Sequence, residues 1–253
     1  MTLLQDPERH PLRPPEAARA LGAVVALAPH PDDESLGCGG LLATLAAQGA
    51  TPRVVVVTDG SRSHPGSHSH PPADLARLRE EEAREAVREL GLGEAVTFLR
   101  LPDCAIPQPG TGLWREAAAA LRETLAGADT VLVPWRRDPH CDHVDTWELA
   151  RGAVREMERP PRWIEYPVWA WEHAETSAAP QDGEMQAWRL DVAGALERKG
   201  RAVAAHRSQT TRMISDTPDG FMLQPGVLAH FERPWELYLE PLAPEPPAPE
   251  ARA

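Results

Sequence analysis

The sequence is short of several things, and each shortage excludes something. It has 3 cysteines in 253 residues, at Cys38, Cys104 and Cys141. Thiols this sparse and scattered build neither a disulfide framework nor a cysteine-rich zinc module. Positive charge is also scarce. The 26 basic residues stand against 38 acidic ones, for a net charge of −12, and Lys199 is the single lysine. Binding to phosphates relies on Lys and Arg, so this balance argues against nucleic acid and anionic membranes as partners. No apolar run approaches the roughly 18 residues of a membrane span. The opening stretch MTLLQDPERHPLRPPE lacks the apolar centre of a signal peptide. A soluble, cytoplasmic chain is expected, and a homo-oligomer is compatible with it. There are only two tyrosines, Tyr166 and Tyr238. No G-x-S-x-G occurs, so a serine hydrolase would lack its nucleophile elbow.

What is present is a regular alternation. GAVVALAP (22–29), RVVVVTDG (53–60), AVTFLRLPD (95–103), DTVLVPW (129–135) and RWIEYPVWAW (162–171) read as strands. The four consecutive valines suit a parallel strand covered on both faces. Helical patterns follow each of the first four strands, over about 39–48, 74–91, 113–127 and 142–158. The 74–91 stretch carries an apolar stripe and ends on Gly91, a good C-cap. This alternation predicts an α/β fold with a mostly parallel, doubly wound, Rossmann-like sheet of order 3-2-1-4-5. Further along, 185–192 and 227–240 read as added C-terminal strands, with a helix over 193–209 and a long loop over 213–226. Residues 1–20 read as a Pro-rich lead-in without a clear strand, in part disordered. Residues 21–240 form one domain, and the Pro/Ala/Glu-rich 241–253 is a mobile tail.

In a 3-2-1-4-5 sheet the order reverses between strands 1 and 4, and ligand sites collect at that crevice. The loop after strand 1 is His30-Pro31-Asp32-Asp33-Glu34. The loop after strand 4 runs from Arg136 to His143 and contains His140-Cys141-Asp142-His143. Dense His/Asp clusters at both expected positions are more than turn formers, although Asp32 or Asp33 can also cap the helix that follows. The simplest chemical reading is one divalent metal held by His30, Asp33 and His143. Two imidazoles and a carboxylate with an open position form a catalytic zinc set, and the same ligand types suit Fe(II). Asp32 is then placed to act as general base, and His140 is the acid candidate or a support for a neighbouring imidazole.

These two motifs resemble those of the PIG-L/LmbE-like family of zinc-dependent N-acetylglucosaminyl de-N-acetylases. The likeness continues through Thr58-Asp59-Gly60, through Arg79, Glu82, Ala86, Leu90 and Gly91 on the second helix, and through Asp103. It ends on Lys199, Ala202, His206, Ser208 and Gln209, so it spans roughly residues 22–210. The resemblance implies zinc on His30, Asp33 and His143, with Asp32 as general base. It implies that His140 stabilises the tetrahedral intermediate or protonates the leaving amine, and that Asp142 orients an imidazole. Arg79 and Asp103 are implied as sugar-binding residues, and His206 is a further pocket candidate. The implied substrate is a small N-acetylated sugar or conjugate. One departure concerns an aromatic hydroxyl that some members carry before the second motif. Here that stretch is Trp135-Arg136-Arg137-Asp138-Pro139, which leaves Arg136, Arg137 or His140 to face the oxyanion.

Other features have plainer readings. Gly37-Cys38-Gly39-Gly40 is not a dinucleotide loop, because Leu42 occupies the last glycine position; the glycines let the first helix approach the sheet. The His-rich stretch 63–70 reads as a flexible loop near the site mouth. Among Trp135, Trp169 and Trp171, one indole could line a sugar site, with core packing the commoner role. The rivals to a deacetylase are a metal-binding homologue without hydrolytic activity and an Fe(II)-dependent oxygenase.

Overall fold

The computed structural model describes residues 1–242. A 3-10 helix (Pro7–Arg9), strand β1 (Leu12–Arg13) and a second 3-10 helix (Pro15–Leu21) lead into β2 (Val24–Ala28) and α1 (Asp33–Ala47). There follow β3 (Arg53–Thr58), α2 (Pro72–Glu89), β4 (Val96–Leu101), α3 (Gly112–Thr124), β5 (Thr130–Pro134), α4 (Cys141–Arg155) and β6 (Arg162–Tyr166). The last part contains β7 (Met185–Asp191), α5 (Leu196–Ala205), α6 (Arg207–Thr210), α7 (Pro225–Leu228) and β8 (Trp235–Pro241). No helix among the described residues is long and apolar enough to cross a membrane.

The strands form one eight-stranded sheet of order β1-β7-β8-β6-β5-β2-β3-β4. The five strands read from sequence are β2 to β6, and within the sheet they run 3-2-1-4-5, all parallel. The whole sheet is wider than that order. β8 inserts antiparallel between β6 and β7, and β1 pairs parallel to β7. β2 explains why the centre reads as a solid apolar run. Its Val24, Ala26 and Ala28 face the cluster containing α1 and α2, whereas Val25 and Leu27 face α3 and α4. A strand covered on both faces has no polar side to alternate with.

Several local expectations need correction. The first helix starts at Asp33 rather than near residue 39, so the Asp-Asp-Glu run forms its first turn. The fifth strand stops at Tyr166: Pro167 has no N–H to continue a ladder, and Trp169–His173 turn into a 3-10 helix. Residues 227–234 are not strand; α7 and a turn precede β8. The 193–209 helix breaks at His206, between α5 and α6. The lead-in does contain a strand, β1, and Thr2 bridges to Gln181. The expected tail lies outside the described residues from position 243 on.

Helix α1 lies close to the sheet because it carries glycines. A Cβ at Gly37 would run into the Tyr166 ring, and one at Gly40 would lie 2.8 Å from Val192 Cβ. The single lysine is spent here too. Lys199 Nζ on α5 donates to Glu236 Oε1 of β8 at 2.7 Å, with both side chains buried. Glu236 also accepts the Gly40 and Leu41 amides and the Tyr238 hydroxyl. Removing one partner of a buried pair strands the other charge, so Lys199→Met is expected to cost about 3–5 kcal/mol. A urea titration checks this; a midpoint within error of wild type would refute the pair's importance.

Candidate active site

The carboxyl ends of β2, β4 and β5 bring His30, Asp103 and the His140–His143 segment to one crevice. His30 precedes Pro31, a context that disfavours helical backbone. The chain then turns sharply at Asp32, whose φ of 146° lies in a region that favours glycine. Such strain persists only where surrounding contacts enforce it. Here the Asp32 amide donates to Glu34 Oε2 at 3.1 Å. Arg79 Nη2 donates to Asp32 Oδ2 at 3.2 Å and to the Pro31 carbonyl at 2.8 Å, while Nη1 holds the Gly60 carbonyl.

Asp33 Oδ2 sits 3.2 Å from both His30 Nδ1 and His143 Nε2, and it accepts the His30 amide at 2.9 Å. All three side chains are buried. Burial alone would raise the Asp33 carboxyl, but the His143 and His30 imidazoles outweigh it and hold the group well below the usual carboxylate range. His30 is drawn the opposite way. Burial disfavours its charge, yet Asp103, Asp142 and Asp33 together raise it well above the ordinary imidazole value. His30 Nε2 lies 2.9 Å from Asp142 Oδ2 and 3.6 Å from Asp103 Oδ1. This leaves Nδ1 facing Asp33, the arrangement in which a carboxylate orients an imidazole toward a metal.

His143 tests whether a cation fits. Fully buried, it makes no well-aligned hydrogen bond through either ring nitrogen among the described residues; carboxylates face both, Asp33 Oδ2 at 3.2 Å from Nε2 and Asp138 Oδ1 at 3.4 Å from Nδ1. Unpartnered buried polar atoms are costly. The donors His30, His140 and His143 come within 4.8 Å of one another, and Asp33 lies between two of them. The group therefore fits a divalent cation.

Two groups flank this set. Burial pushes the Asp32 carboxyl up to about 6 against the pull of Arg79, aided by the neighbouring Asp33. Across the crevice, burial and the facing His30 and His143 push His140 down to about 4. His140 caps α4: its Nδ1 accepts the Asp142 amide at 3.2 Å. The neutral ring then carries its proton on Nε2, free to donate. A cleft of about 280 Å³ opens over these groups, lined also by Arg62, Trp169, Asp219 and Phe221.

The structure thus gathers His30, Asp32, Asp33, His140, Asp142, His143 and Asp103. Arg79 borders the cleft while supporting the Asp32 turn. It does not bring Arg136 or Arg137 there. Arg136 binds the buried Glu165 at 3.1 Å and Arg137 pairs with Glu184. His206 is also withdrawn: it is buried against Glu34 Oε1 at 2.9 Å. Tyr166 donates to the Leu27 carbonyl and Tyr238 to Glu236, so neither hydroxyl serves the cleft. Of the three indoles considered, Trp169 lines it, packed edge-on against Phe221. The His-rich 63–70 loop is tied down, with Asp216 accepting from Ser67, His68 and Ser69. Sequence reasoning passed over Asp138, although it stands in the same Asp/His-rich loop. Its carboxylate accepts the Val168, Trp169 and Ala170 amides.

The model of the PIG-L family, described as GlcNAc-PI de-N-acetylase, matches residues 25–154, just over half of the chain. The chain belongs to the PIG-L family. Among relatives, 2'-N-acetylparomamine deacetylase of Streptomyces fradiae is 29% identical over 206 residues, covering 75% of this chain and 74% of that protein. The 1D-myo-inositol 2-acetamido-2-deoxy-alpha-D-glucopyranoside deacetylase of Mycobacteroides abscessus is 29% identical over 236 residues, covering 74% of this chain and 80% of its own. A solved structure of the 4-carboxy-2-hydroxymuconate hydratase GalB from Pseudomonas putida KT2440 shares the fold. Its TM-score is 0.62 at 20% identity, covering 91% of this chain and 99% of that one. The PIG-L fold therefore does not by itself select a reaction, and the choice falls to the residues at the crevice.

Because Asp138 satisfies three amides beside His143, Asp138→Ala is expected to lower stability by about 2–4 kcal/mol. Chemical denaturation measures it, and a loss under about 0.5 kcal/mol would count against this supporting role.

Proposed function

We propose that this protein is a zinc-dependent N-deacetylase that removes an acetyl group from a small amino-sugar substrate. The observation that carries the reading is the juxtaposition of a buried carboxylate base, Asp32, with the His30–Asp33–His143 set and with the Nε2–H of His140. Family membership and the amino-sugar deacetylases among the relatives support the substrate class. The fold contributes less, since a hydratase shares it.

His30, Asp33 and His143 would hold the cation; two imidazoles and a carboxylate suit zinc, and also Fe(II). When bound, a zinc ion supplies Lewis acidity, lowering the pKa of water from 15.7 toward about 7 and polarising a carbonyl. The chain's own residues do the rest. Asp32 takes the proton of the attacking water, its carboxyl raised by burial into the range useful near neutrality. Arg79 keeps that carboxylate in place. His140 donates its Nε2–H to the developing oxyanion, the part assigned to a tyrosine in some relatives. Since burial disfavours a protonated His140, the proton delivered to the departing amine comes from Asp32. Asp142 holds the His30 ring, and Trp169 and Phe221 offer apolar surface to the face of a sugar ring.

The test is acetate release from a panel of N-acetylated amino sugars, including N-acetylglucosamine conjugates, with metal content measured in parallel. Asp32→Asn is expected to lower kcat by about 10²–10⁴-fold while keeping its metal. Unchanged turnover in that variant would eliminate Asp32 as the base. Fully metal-loaded wild type that releases no acetate from any substrate would overturn the deacetylase reading. A chelator is expected to abolish activity, and zinc to restore it; activity that survives complete metal removal would sink the metal assignment.

A further inference from the structure

The second cluster of metal-ligating side chains lies one carboxylate away from the first. Cys104 follows β4, and Cys141 opens α4 between His140 and Asp142. Although Cys104 is far from the other two in sequence, Cys104, Cys141 and Asp142 place one donor atom each within 4.8 Å of one another. Both thiols are free and exposed at the surface, while Asp142 is buried beneath them.

The arrangement is held in place. Cys104 has φ 55°, in the left-handed region that residues other than glycine seldom adopt. Its amide donates to Asp142 Oδ2 at 2.9 Å, which pins the turn over α4. The two oxygens of Asp142 face different ways. Oδ2 accepts from Cys104 and lies against His30, whereas Oδ1 lies on the side of Cys141 Sγ at 3.9 Å. Asp103 Oδ1 lies 3.3 Å from Cys104 Sγ. The donors are two sulfurs and a carboxylate oxygen, with the Asp103 carboxylate beside Cys104 and His30 on the Oδ2 side of Asp142.

We propose that Cys104, Cys141 and Asp142 form a second cation site that takes a thiophilic dication, of the zinc or cadmium class. Soft thiolate ligands select such ions over magnesium or calcium. Sulfur–metal bonds of about 2.3 Å require the two sulfurs to lie under about 4.6 Å apart, so a small side-chain rotation completes the set. Binding balances simply: the dication displaces one proton from each thiol, both protons pass to solvent, and no electrons move. The Asp103 and Asp142 carboxylates beside the two sulfurs add attraction for a dication that a disulfide would not use. The ion would share Asp142 with His30, so the site adjoins the catalytic one without using its ligands.

The test uses reduced protein already carrying one equivalent of its first metal, titrated with Cd²⁺. Wild type is expected to take up a second equivalent, with the ultraviolet charge-transfer absorption of a cadmium thiolate. Cys104→Ser and Cys141→Ser are each expected to weaken that uptake by at least about tenfold. Circular dichroism confirms that they fold, and Cys104→Ala and Cys141→Ala serve if serine is not tolerated. Cadmium that merely replaces the metal on His30, Asp33 and His143 gives no thiolate absorption, so failure there reads differently from failure here. Wild type without the absorption, or full absorption in both variants, would each overturn the proposal.

Discussion

The carboxylate of Asp33 lies between two buried imidazoles, and much of the surrounding structure serves that contact. A charge taken out of water costs several kcal/mol unless it is paired and hydrogen-bonded. Asp33 meets that cost by its position at the start of α1 and by facing His30 and His143. His30 needs Asp142, and His143 lies beside Asp138, which in turn gathers three amides of the turn after β6. The chain of dependence runs outward from one oxygen to three loops.

The sheet makes this possible. Strand order reverses between β2 and β5, so the helices after these strands lie on opposite faces, and their first turns open beside the same crevice. α1 begins at Asp33, with four residues between it and β2, and α4 at Cys141, with six between it and β5, so short loops carry the site residues. Glycines in α1 and the Lys199–Glu236 pair keep that helix against the sheet. The packing of α1 is thus a condition for placing Asp32 and Asp33.

Much of this was legible in the sequence. Strands β2 to β6 announced themselves as apolar runs because both of their faces are covered, and parallel crossovers leave few orders open. The His30–Asp33 and His140–His143 clusters stood at strand ends, where such sheets place their sites. The misreadings share a cause. Helix α1 began earlier than its apolar pattern suggested, because its first turn is polar for the sake of the site. The stretch 227–234 carries strand-like residues, but α7 and a turn occupy it. Arg136 and Arg137 looked available because their partners, Glu165 and Glu184, lie 29 and 47 residues away in sequence. Asp138 was passed over for the same reason: its amide partners belong to another loop.

The sequence by itself determined the class of fold, the order of the parallel core and the donor types at the crevice. These are local properties: apolar periodicity, breakers, and which side chains can bind a proton or a cation. Tertiary structure alone decided which charges face one another. It set Asp142 against His30, gave Arg79 to Asp32, hid His206 behind Glu34 and brought Cys104 beside Cys141. Electrostatic interaction weakens with distance in space and depends on burial. Its partners are therefore chosen by distance in space, a quantity the linear order of residues does not contain.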